Sequence, residues 1–438
     1  MRTTARPELE ATPALNRSGA ATRVAAWWRS PWTVAAVVLL AYLLWVGAYV
    51  ATGHSAQDFI VIGKAAVLRS NASPLIHYDP RYYYTDRLGY DGQYCYFIAV
   101  DPVRARFYMD WPAYRYTRIA YPLLARALAL GQTQLIPDTL ILINLLAMAG
   151  GTLALAAWLR RRGRSPWLAL IYGLSLGLFI AVNGDLTEPM AYALVALAVY
   201  LLDFGGRRRV LWAALCFGVA VLTRETAAIF AVVYGCALAL QGIRAPTGGT
   251  RATRDAVLAR LREVVGAARR NWRPAALLLG VALEPYALYK LFLWVWLGSL
   301  GVPPAMRPEL VPFAGMLAHW PLQGLQIVVV DCVILPALIC AGIGLWALAR
   351  GSRSVAVWAL LVNVLFLVVL LPADSFIDHF AAARISTGVV LAALYAVPAF
   401  DELTGTKRLW LLACTLLWMM LLPLQIIGLL HATPAGYH

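Results

Sequence analysis

The stretch WTVAAVVLLAYLLWVGAYVATG, residues 32–53, contains no charged side chain. A helix that crosses a membrane needs about 20 consecutive, mainly apolar residues, so this stretch is predicted to be a membrane span. It is too long for the apolar core of a signal peptide and is predicted to be an uncleaved anchor. The Arg-rich residues 1–31 before it are predicted to form a cytoplasmic tail.

Similar apolar runs recur along the chain, which is 61% hydrophobic and 13% charged, against about 25% charged residues in soluble domains. We therefore expect an all-α, polytopic transmembrane helix bundle over residues 32–438. Hydropathy predicts about eleven spans. They lie near 32–53, 133–158, 166–182, 186–203, 209–223, 226–242, 274–298, 324–348, 354–371, 382–399 and 408–429.

The net charge of +15 is interpreted as a signal of membrane orientation, not of nucleic-acid binding. Alternation through eleven spans places the basic clusters near residues 160–164, 207–209, 350–353 and 407–408 on one face, together with the loop 243–273. The positive-inside rule makes that face cytoplasmic and the C-terminus extracytoplasmic. The loop 54–130 also carries arginines, but long loops obey this rule poorly.

The loop 54–130 is the largest predicted extracytoplasmic segment, and it is rich in tyrosine, including residues 82–84. Tyrosine suits the membrane interface, so we expect short interfacial helices in this loop. Residues 253–270, within the basic loop 243–273, show helical spacing of apolar residues beside arginines and predict an amphipathic helix on the inner surface. The six cysteines match no disulfide or zinc pattern.

Asp91 is the first candidate catalytic residue, in GYDGQYCYFIAVDP at residues 89–102. Asp-Gly is also an ordinary turn dipeptide, so a purely structural role is the alternative. Aromatic neighbours such as Tyr90 and Tyr94 would partly desolvate the carboxylate and make it a stronger base. Tyr90, Gln93, Tyr94 and Arg118 are predicted to contact the substrate.

Asp185 and Glu188 lie in the short junction between two predicted spans, NGDLTEP. Asp185 suits a helix cap and Glu188 suits a first helical turn. A helix N-terminus at membrane depth also favours anions, so a substrate phosphate at this junction is an equal alternative.

Arg224 and Arg384 lie in short segments that the topology places outside, against the positive-inside pattern. Pairing with Glu225, and with Asp374 or Asp378, is the structural alternative. The functional interpretation is a phosphate clamp, because a guanidinium group binds phosphate oxygens bidentately.

Three charged residues fall within apolar runs, namely Glu284, Lys290 and Asp331. Such residues are often functional, but they rank below the loop residues. The histidines show no metal-binding spacing, and a divalent cation (Mg or Mn) held by Asp91 and other oxygens is left open.

With its continuation YRYTRIAYPLLARALALG, the segment GYDGQYCYFIAVDP resembles bacterial multi-pass proteins with a YDGQ-aromatic signature. These are similar to the GPI mannosyltransferase II type, and both resemble the GT-C glycosyltransferases. The segments NGDLTEPMAYALVALAVYLL, LTRETAAIF and AAARISTGVVLAALYAVP resemble further parts of that group, with weaker motifs.

This resemblance implies a GT-C-like fold in a cell membrane and an extracytoplasmic active site with Asp91 as its acidic residue. It implies a polyprenyl-phosphate sugar donor and a lipid or glycan acceptor. Asp91 is then predicted to be the general base of an inverting glycosyltransferase. The alternatives are a flippase or transporter of lipid-linked sugars, or another lipid-phosphate transferase. The chain lacks a DxD pair near Asp91, which leaves metal use open.

Overall fold

A computed structural model describes residues 27–63, 89–242, 254–303, 307–322, 324–377, 379–400 and 406–431. Within these ranges the secondary structure is helical and no strand forms, which confirms the predicted all-α class. The predictions for the tail up to residue 26, for tyrosines 82–84, for loop residues 243–253 and for Asp378 concern positions outside the described ranges.

Helices of at least seven residues are numbered here from α1 to α15. The first eight are α1 (Pro31–Ala51), α2 (Gly92–Val100), α3 (Ala120–Leu128), α4 (Ile136–Arg161), α5 (Leu176–Asn183), α6 (Glu188–Phe204), α7 (Arg209–Thr223) and α8 (Ala228–Ala239). The others are α9 (Arg254–Leu297), α10 (Leu335–Ala349), α11 (Val355–Val364), α12 (His379–Ile385), α13 (Thr387–Ala396), α14 (Thr406–Met420) and α15 (Leu422–His431).

Six helical stretches are long and apolar enough to cross a membrane, which supports the multi-pass interpretation. A seventh is reached if Pro166–Gly173 and Leu176–Asn183, which meet at 50°, form one span. The six are Pro31–Ala51, Thr133–Arg161, Arg262–Leu297, Ile327–Ala349, Ala381–Phe400 and Leu411–Leu429. The shorter apolar helices are Arg209–Thr223, Glu225–Ala239 and Val355–Val369.

Proline marks several helix starts in this chain. It occupies one of the first two positions of α1, α4, α6 and α10. The first N–H groups of a helix have no partner within it, so proline loses no hydrogen bond there. By contrast, Pro274 and Pro285 lie inside α9, which continues through both. The amphipathic segment predicted at 253–270 is thus continuous with the span that follows it.

The bundle is built on α4 and α6, which pack against each other. On α4 lies α1, on α6 lies α7, and α9 packs against both α7 and α8. Tyr395 of α13 crosses this core: its hydroxyl donates to the carbonyl of Ala196 at 3.0 Å, and its ring contacts Trp158 edge-on at 4.7 Å. A buried hydroxyl with a partner lets tyrosine fill an apolar core without an unsatisfied group.

Short helices fill the described part of the loop 54–130: Ala56–Ile60, Arg104–Tyr108, Pro112–Arg115 and Tyr116–Arg118, besides α2 and α3. Three tyrosines there do not form the predicted interfacial layer: Tyr108, Tyr116 and Tyr121 are at most 2% exposed. They pack with α2 into a second apolar cluster. The described part of the loop is therefore a folded cap with its own core, which holds its polar residues in place.

The two ends of the bundle differ in chemistry. At one end Arg162 Nη2 pairs with Asp203 Oδ2 at 2.6 Å, and Arg162, Arg209 and Gln241 line a cavity of about 430 Å³. We call this the basic end. At the other end α1 and α5 finish and α6 begins, beside the folded cap. We call this the capped end, and all the loop residues proposed as functional lie there.

Two glycines allow backbones to touch at the capped end. A Cβ atom on Gly92 would collide with the carbonyl oxygen of Gly184, and one on Gly177 would collide with that of Ala383. Only glycine permits this approach. The first contact fixes the residue after Asp91, and the second fixes the residue before Arg384.

Replacement of Gly177 by alanine is expected to push α5 from α12 and lower the free energy of unfolding by about 1–3 kcal/mol. The measurement is the midpoint of thermal unfolding in detergent, followed by tryptophan fluorescence. The matched control is Gly342→Ala in α10, where the added methyl group meets nothing within 4 Å. The control should be neutral or slightly stabilising, because alanine favours the helix; an equal loss in both variants would contradict the interpretation.

Candidate functional site

Asp91 lies in the turn that leads into α2. The N–H of Tyr90 donates to the carbonyl of Val61 at 2.9 Å, and Gly92 rests on Gly184. The Asp91 carboxylate makes no capping hydrogen bond to α2. The dipeptide is therefore a turn, as its composition suggests, but its acidic side chain is directed to other partners.

Those partners are three guanidinium groups from distant parts of the chain. Asp91 Oδ1 accepts from Arg115 Nη1 at 2.8 Å, and Oδ2 accepts from Arg384 Nη2 at 2.5 Å. Arg118 Nη1 is 3.9 Å from Oδ2. The Asp91 side chain is 19% exposed and both nearer arginines about 10% or less, so these pairs are shielded from solvent and are stronger than surface ion pairs.

The arginines set the protonation of Asp91. Burial by itself would raise the pKa of this carboxyl, but the charges of Arg384, Arg115 and Arg118 outweigh burial and hold the pKa well below its usual range. The expectation that aromatic desolvation makes Asp91 a stronger base is therefore wrong for the site without substrate. Asp91 is a fixed anion here.

Two arginines of the cap are held in turn by other carboxylates. Arg115 binds Asp110 through Nε and Nη2, both at 2.8 Å, and its guanidinium lies 4.1 Å from the centre of the Tyr94 ring. Arg118 Nη2 donates to Glu225 Oε1 at 3.0 Å and to the hydroxyl of Tyr114 at 2.7 Å. The bidentate and stacking contacts fix the plane of each guanidinium.

A fourth carboxylate, that of Glu188, contacts both arginines that break the positive-inside pattern, Arg224 and Arg384. Glu188 Oε1 is 3.0 Å from Arg224 Nη1 and 3.6 Å from Arg384 Nη1. Glu188 is fully buried, and a buried carboxylate requires such charge pairing. Arg224 therefore pairs with Glu188, while Glu225, its predicted neutralising neighbour, pairs with Arg118. Arg384 binds Asp91 and Glu188 instead of Asp374.

The arginine–carboxylate cluster is defined by these eight residues: Arg115, Arg118, Arg224, Arg384, Asp91, Asp110, Glu188 and Glu225. Four cations face four anions, so its formal charge is 4 − 4 = 0. The predicted residues Asp91, Arg118, Glu188, Arg224 and Arg384 are thus brought together by the fold.

Asp185 is not part of the cluster. It is fully buried, with φ of 46°, and within the described chain neither carboxylate oxygen has a hydrogen-bond partner. Burial raises its pKa well above the usual range, and Asp138 adds to the effect. Asp185 also does not cap the following helix, because α6 begins after Thr187 and has no side-chain cap. Burial of Asp185 therefore favours the neutral form of its carboxyl group.

Of the other residues predicted to contact the substrate, Tyr90 and Tyr94 contact arginines of the cluster, and Gln93 holds the backbone near the start of α2. The ring of Tyr90 lies 5.0 Å from the Arg384 guanidinium, and Tyr94 stacks on Arg115. Gln93 is 1% exposed and its Oε1 accepts from the N–H of Gly63 at 3.1 Å. Gln93 thus anchors residues 61–63 to the start of α2.

Arg115 and Asp110 are members of the cluster that our sequence interpretation did not select. A signal for Arg115 exists: it precedes Arg118 by three residues in YRYTR, which places both on one face of a helical turn. Asp110 carried no such signal, since its role depends on the fold of the cap.

A cavity of about 350 Å³ borders the cluster. Its charged lining consists of Arg118, Arg224, Lys290 and Glu225, and its apolar lining includes Ile229, Phe366, Leu367 and Leu371. Phe366 and Leu367 belong to a π-helical turn, Leu365–Val369, which follows α11. Asp91 itself does not line the cavity but lies 3.9 Å from Arg118, which does. Three cations against one anion make this space suitable for a negatively charged group.

The site does not suit a divalent cation. Both oxygens of Asp91 already bind guanidinium groups, and positive neighbours repel a metal ion. Among the described residues, no three His, Cys, Asp or Glu side chains form a group that could hold a metal.

Comparison of the chain with protein-family models, with curated proteins and with solved structures finds no match. The functional interpretation therefore depends on the geometry above.

Replacement of Asp91 by asparagine is expected to lower the free energy of unfolding by about 3 kcal/mol, because Arg115 and Arg384 lose their shared anion in a shielded site. The folded-state pKa of Asp91 is lowered, so its stabilisation is present above about pH 4 and is lost as pH falls toward the folded pKa. The gap in thermal midpoint between parent and variant should stay constant between about pH 5 and 8 and narrow below about pH 4.

The matched control is Asp138→Asn, an exposed acid in the first turn of α4, which should cost at most about 1 kcal/mol. A gap for Asp91→Asn as small as that of the control would contradict the proposed anchoring by Asp91.

Proposed function

We propose that this protein is an inverting glycosyltransferase of GT-C type that moves a sugar from a polyprenyl-phosphate donor to an acceptor outside the cytoplasm. The observation that carries the proposal is the cavity next to the cluster, whose lining combines Arg118, Arg224 and Lys290 with apolar residues. A lipid-linked phosphate has the same two parts, an anion and a hydrocarbon chain.

In this proposal the donor phosphate binds the cationic residues of the cavity lining, Arg118, Arg224 and Lys290. Guanidinium groups bind phosphate oxygens in a fixed geometry, and Lys290 adds a point charge from α9. The first isoprene units would contact Phe366, Leu367 and Leu371, and the chain would continue into the membrane. A lipid or glycan acceptor would approach from the side of Asp91.

The reaction is a single displacement at the anomeric carbon. The acceptor oxygen forms a bond to that carbon while the bond from the carbon to the phosphate oxygen breaks, and its electron pair leaves with the lipid phosphate. The hydroxyl proton passes to Asp91. Arg118, Arg224 and Lys290 stabilise the charge that grows on the leaving phosphate.

Phosphate binding would also change Asp91. In the cluster, Arg118 and Arg384 neutralise its carboxylate, while Arg118 and Arg224 line the cavity. Arg118 belongs to both sets, so a bound phosphate anion would compete with Asp91 for this guanidinium group, and the pKa of Asp91 should rise from its lowered value when the donor binds. The base is thereby activated only in the presence of substrate.

The membrane orientation belongs to this proposal. Eleven crossings, which are the six long stretches, the bent pair, the three shorter apolar helices and α6, would place the arginines of the basic end in the cytoplasm and the cluster outside. The protein would then be a multi-pass cell-membrane enzyme whose active site draws its donor from the outer leaflet.

A flippase of lipid-linked sugars is the main alternative, and another lipid-phosphate transferase is the second. A flippase needs a polar path between the two faces. Glu284 and Asp331 are exposed on the outside of the bundle, which disfavours such a path. Proteoliposomes given a labelled lipid-linked sugar distinguish the three: a new glycosidic bond, movement of unaltered lipid, or transfer of the phosphate group.

Asp91→Asn is expected to reduce sugar transfer by at least about 100-fold, because asparagine keeps the shape but cannot accept the proton. The measurement is transfer of radiolabelled sugar by purified enzyme, with folding verified by the thermal midpoint. Asp138→Asn serves as the control and should retain full activity. Transfer at the parental rate by folded Asp91→Asn would refute its role as the base.

Lys290→Gln is expected to weaken the contact with the phosphate and lower kcat/KM for the donor by about 10- to 100-fold, since each charge-assisted contact in such a site contributes a few kcal/mol. KM for the acceptor should not change. Arg104→Gln is the matched control, since Arg104 is a cation of the cap that does not line the cavity and its side chain is 60% exposed. Equal effects on donor and acceptor would contradict this placement of the phosphate.

A further inference from the structure

A second large cavity lies on the side of the bundle, away from the cluster. It has a volume of about 740 Å³ and lies between α4 and α6, bordered by the start of α1 and by α3. We call it the lateral groove. Its floor on α4 consists of small residues at helical spacing, Ala147, Gly150, Ala154 and Ala157, which lie on one face of the helix.

The dimensions of the lateral groove fit a hydrocarbon chain. A Cβ atom on Gly150 would meet nothing within 4 Å, so the groove is open at its middle. From Ala147 to Arg160 the floor runs for about 20 Å at 1.5 Å per residue, more than the roughly 15 Å of hydrocarbon in one leaflet. Leucines such as Leu153 and Leu197 line it further. A groove of this kind along a membrane-spanning helix is filled by chains, not water.

Positively charged side chains lie at one end of the lateral groove. Arg160 lines its last part and is exposed, and it makes no ion pair with the described residues. Its neighbour Arg161 stacks on the rings of Tyr200 and Phe204, at 5.2 and 5.0 Å. Trp32, which also lines the groove, is 71% exposed. Tryptophan and arginine at the end of an apolar span are typical of the headgroup level.

We propose that the lateral groove binds an anionic phospholipid from the leaflet at the basic end, with an acyl chain over Gly150 and its phosphate on Arg160. The apolar floor provides the chain site, and the unpaired guanidinium provides the charge complement. A second copy of this protein is a poorer occupant, because a packed helix would cover Arg160 without an anion.

This site is distinct from the cluster. Arg160 lies in the last turn of α4 at the basic end, whereas Asp91 lies at the capped end. The inference does not depend on the proposed transfer reaction, and it holds even if the protein transports its lipid.

The test uses the full-length protein in nanodiscs of phosphatidylcholine with a minor fraction of phosphatidylglycerol. The lipid that remains bound after transfer to mild detergent is measured by native mass spectrometry. The parent should retain phosphatidylglycerol in preference to phosphatidylcholine. Arg160→Gln should remove the preference for the anionic headgroup, and Gly150→Leu, which fills the groove, should reduce retention of either lipid several-fold.

Matched controls are available on other faces. Arg273→Gln removes an exposed arginine beside Asn271, which binds Gln241 at the basic end, and Gly342→Leu adds the same side chain to an open position on α10; both should retain lipid like the parent. Equal retention in parent, Arg160→Gln and Gly150→Leu would overturn the proposal. So would equal binding of the two lipids by the parent, or a dimer that Gly150→Leu dissociates without a change in bound lipid.

Discussion

The capped end of this protein depends on one carboxylate shared among three guanidinium groups. Asp91 is contacted by Arg115 and Arg118 of the cap and by Arg384 of α12. Charges removed from water are costly unless each finds an opposite partner with good geometry. Glu188, Glu225 and Asp110 provide the remaining opposite charges, so the cluster is formally neutral. Loss of any one member would leave the charge of another unpaired in a site shielded from solvent.

The same constraint explains why the site could only partly be predicted. Glu188, Arg224 and Arg384 stood out because they are charges in short segments between apolar runs, where the membrane makes charge unusual. Asp91 and Arg118 were selected in the long loop 54–130, where aromatic residues surround Asp91 in the sequence. Their pairing could not be predicted, because it depends on tertiary contacts. Glu225 is adjacent to Arg224 in the chain but pairs with Arg118 across the cavity, and Glu188 takes its place.

The overall fold, like the site, could be predicted only in part. Helical class followed directly from apolar run length, a local property of each segment. The burial of Tyr116 and Tyr121 did not, since tyrosine suits both an interface and a core with hydrogen-bond partners. Tyr116 donates to the carbonyl of Pro102, and Tyr121 to that of Leu140; these partners come from other parts of the loop and from α4. The continuity of α9 through two prolines likewise depends on its neighbours in the bundle.

The bond between Arg384 and Asp91 joins residues 293 positions apart. During synthesis the amino-terminal part of a chain inserts first, so Asp91 and Glu188 reach their places while α12 is still inside the ribosome or not yet made. Until α12 is inserted, Asp91 and Glu188 lack the counterion that Arg384 provides. A chain that stops before α12 therefore cannot form the complete cluster. Insertion of Arg384 is thus the step that completes the cluster, and it can occur only near the end of synthesis.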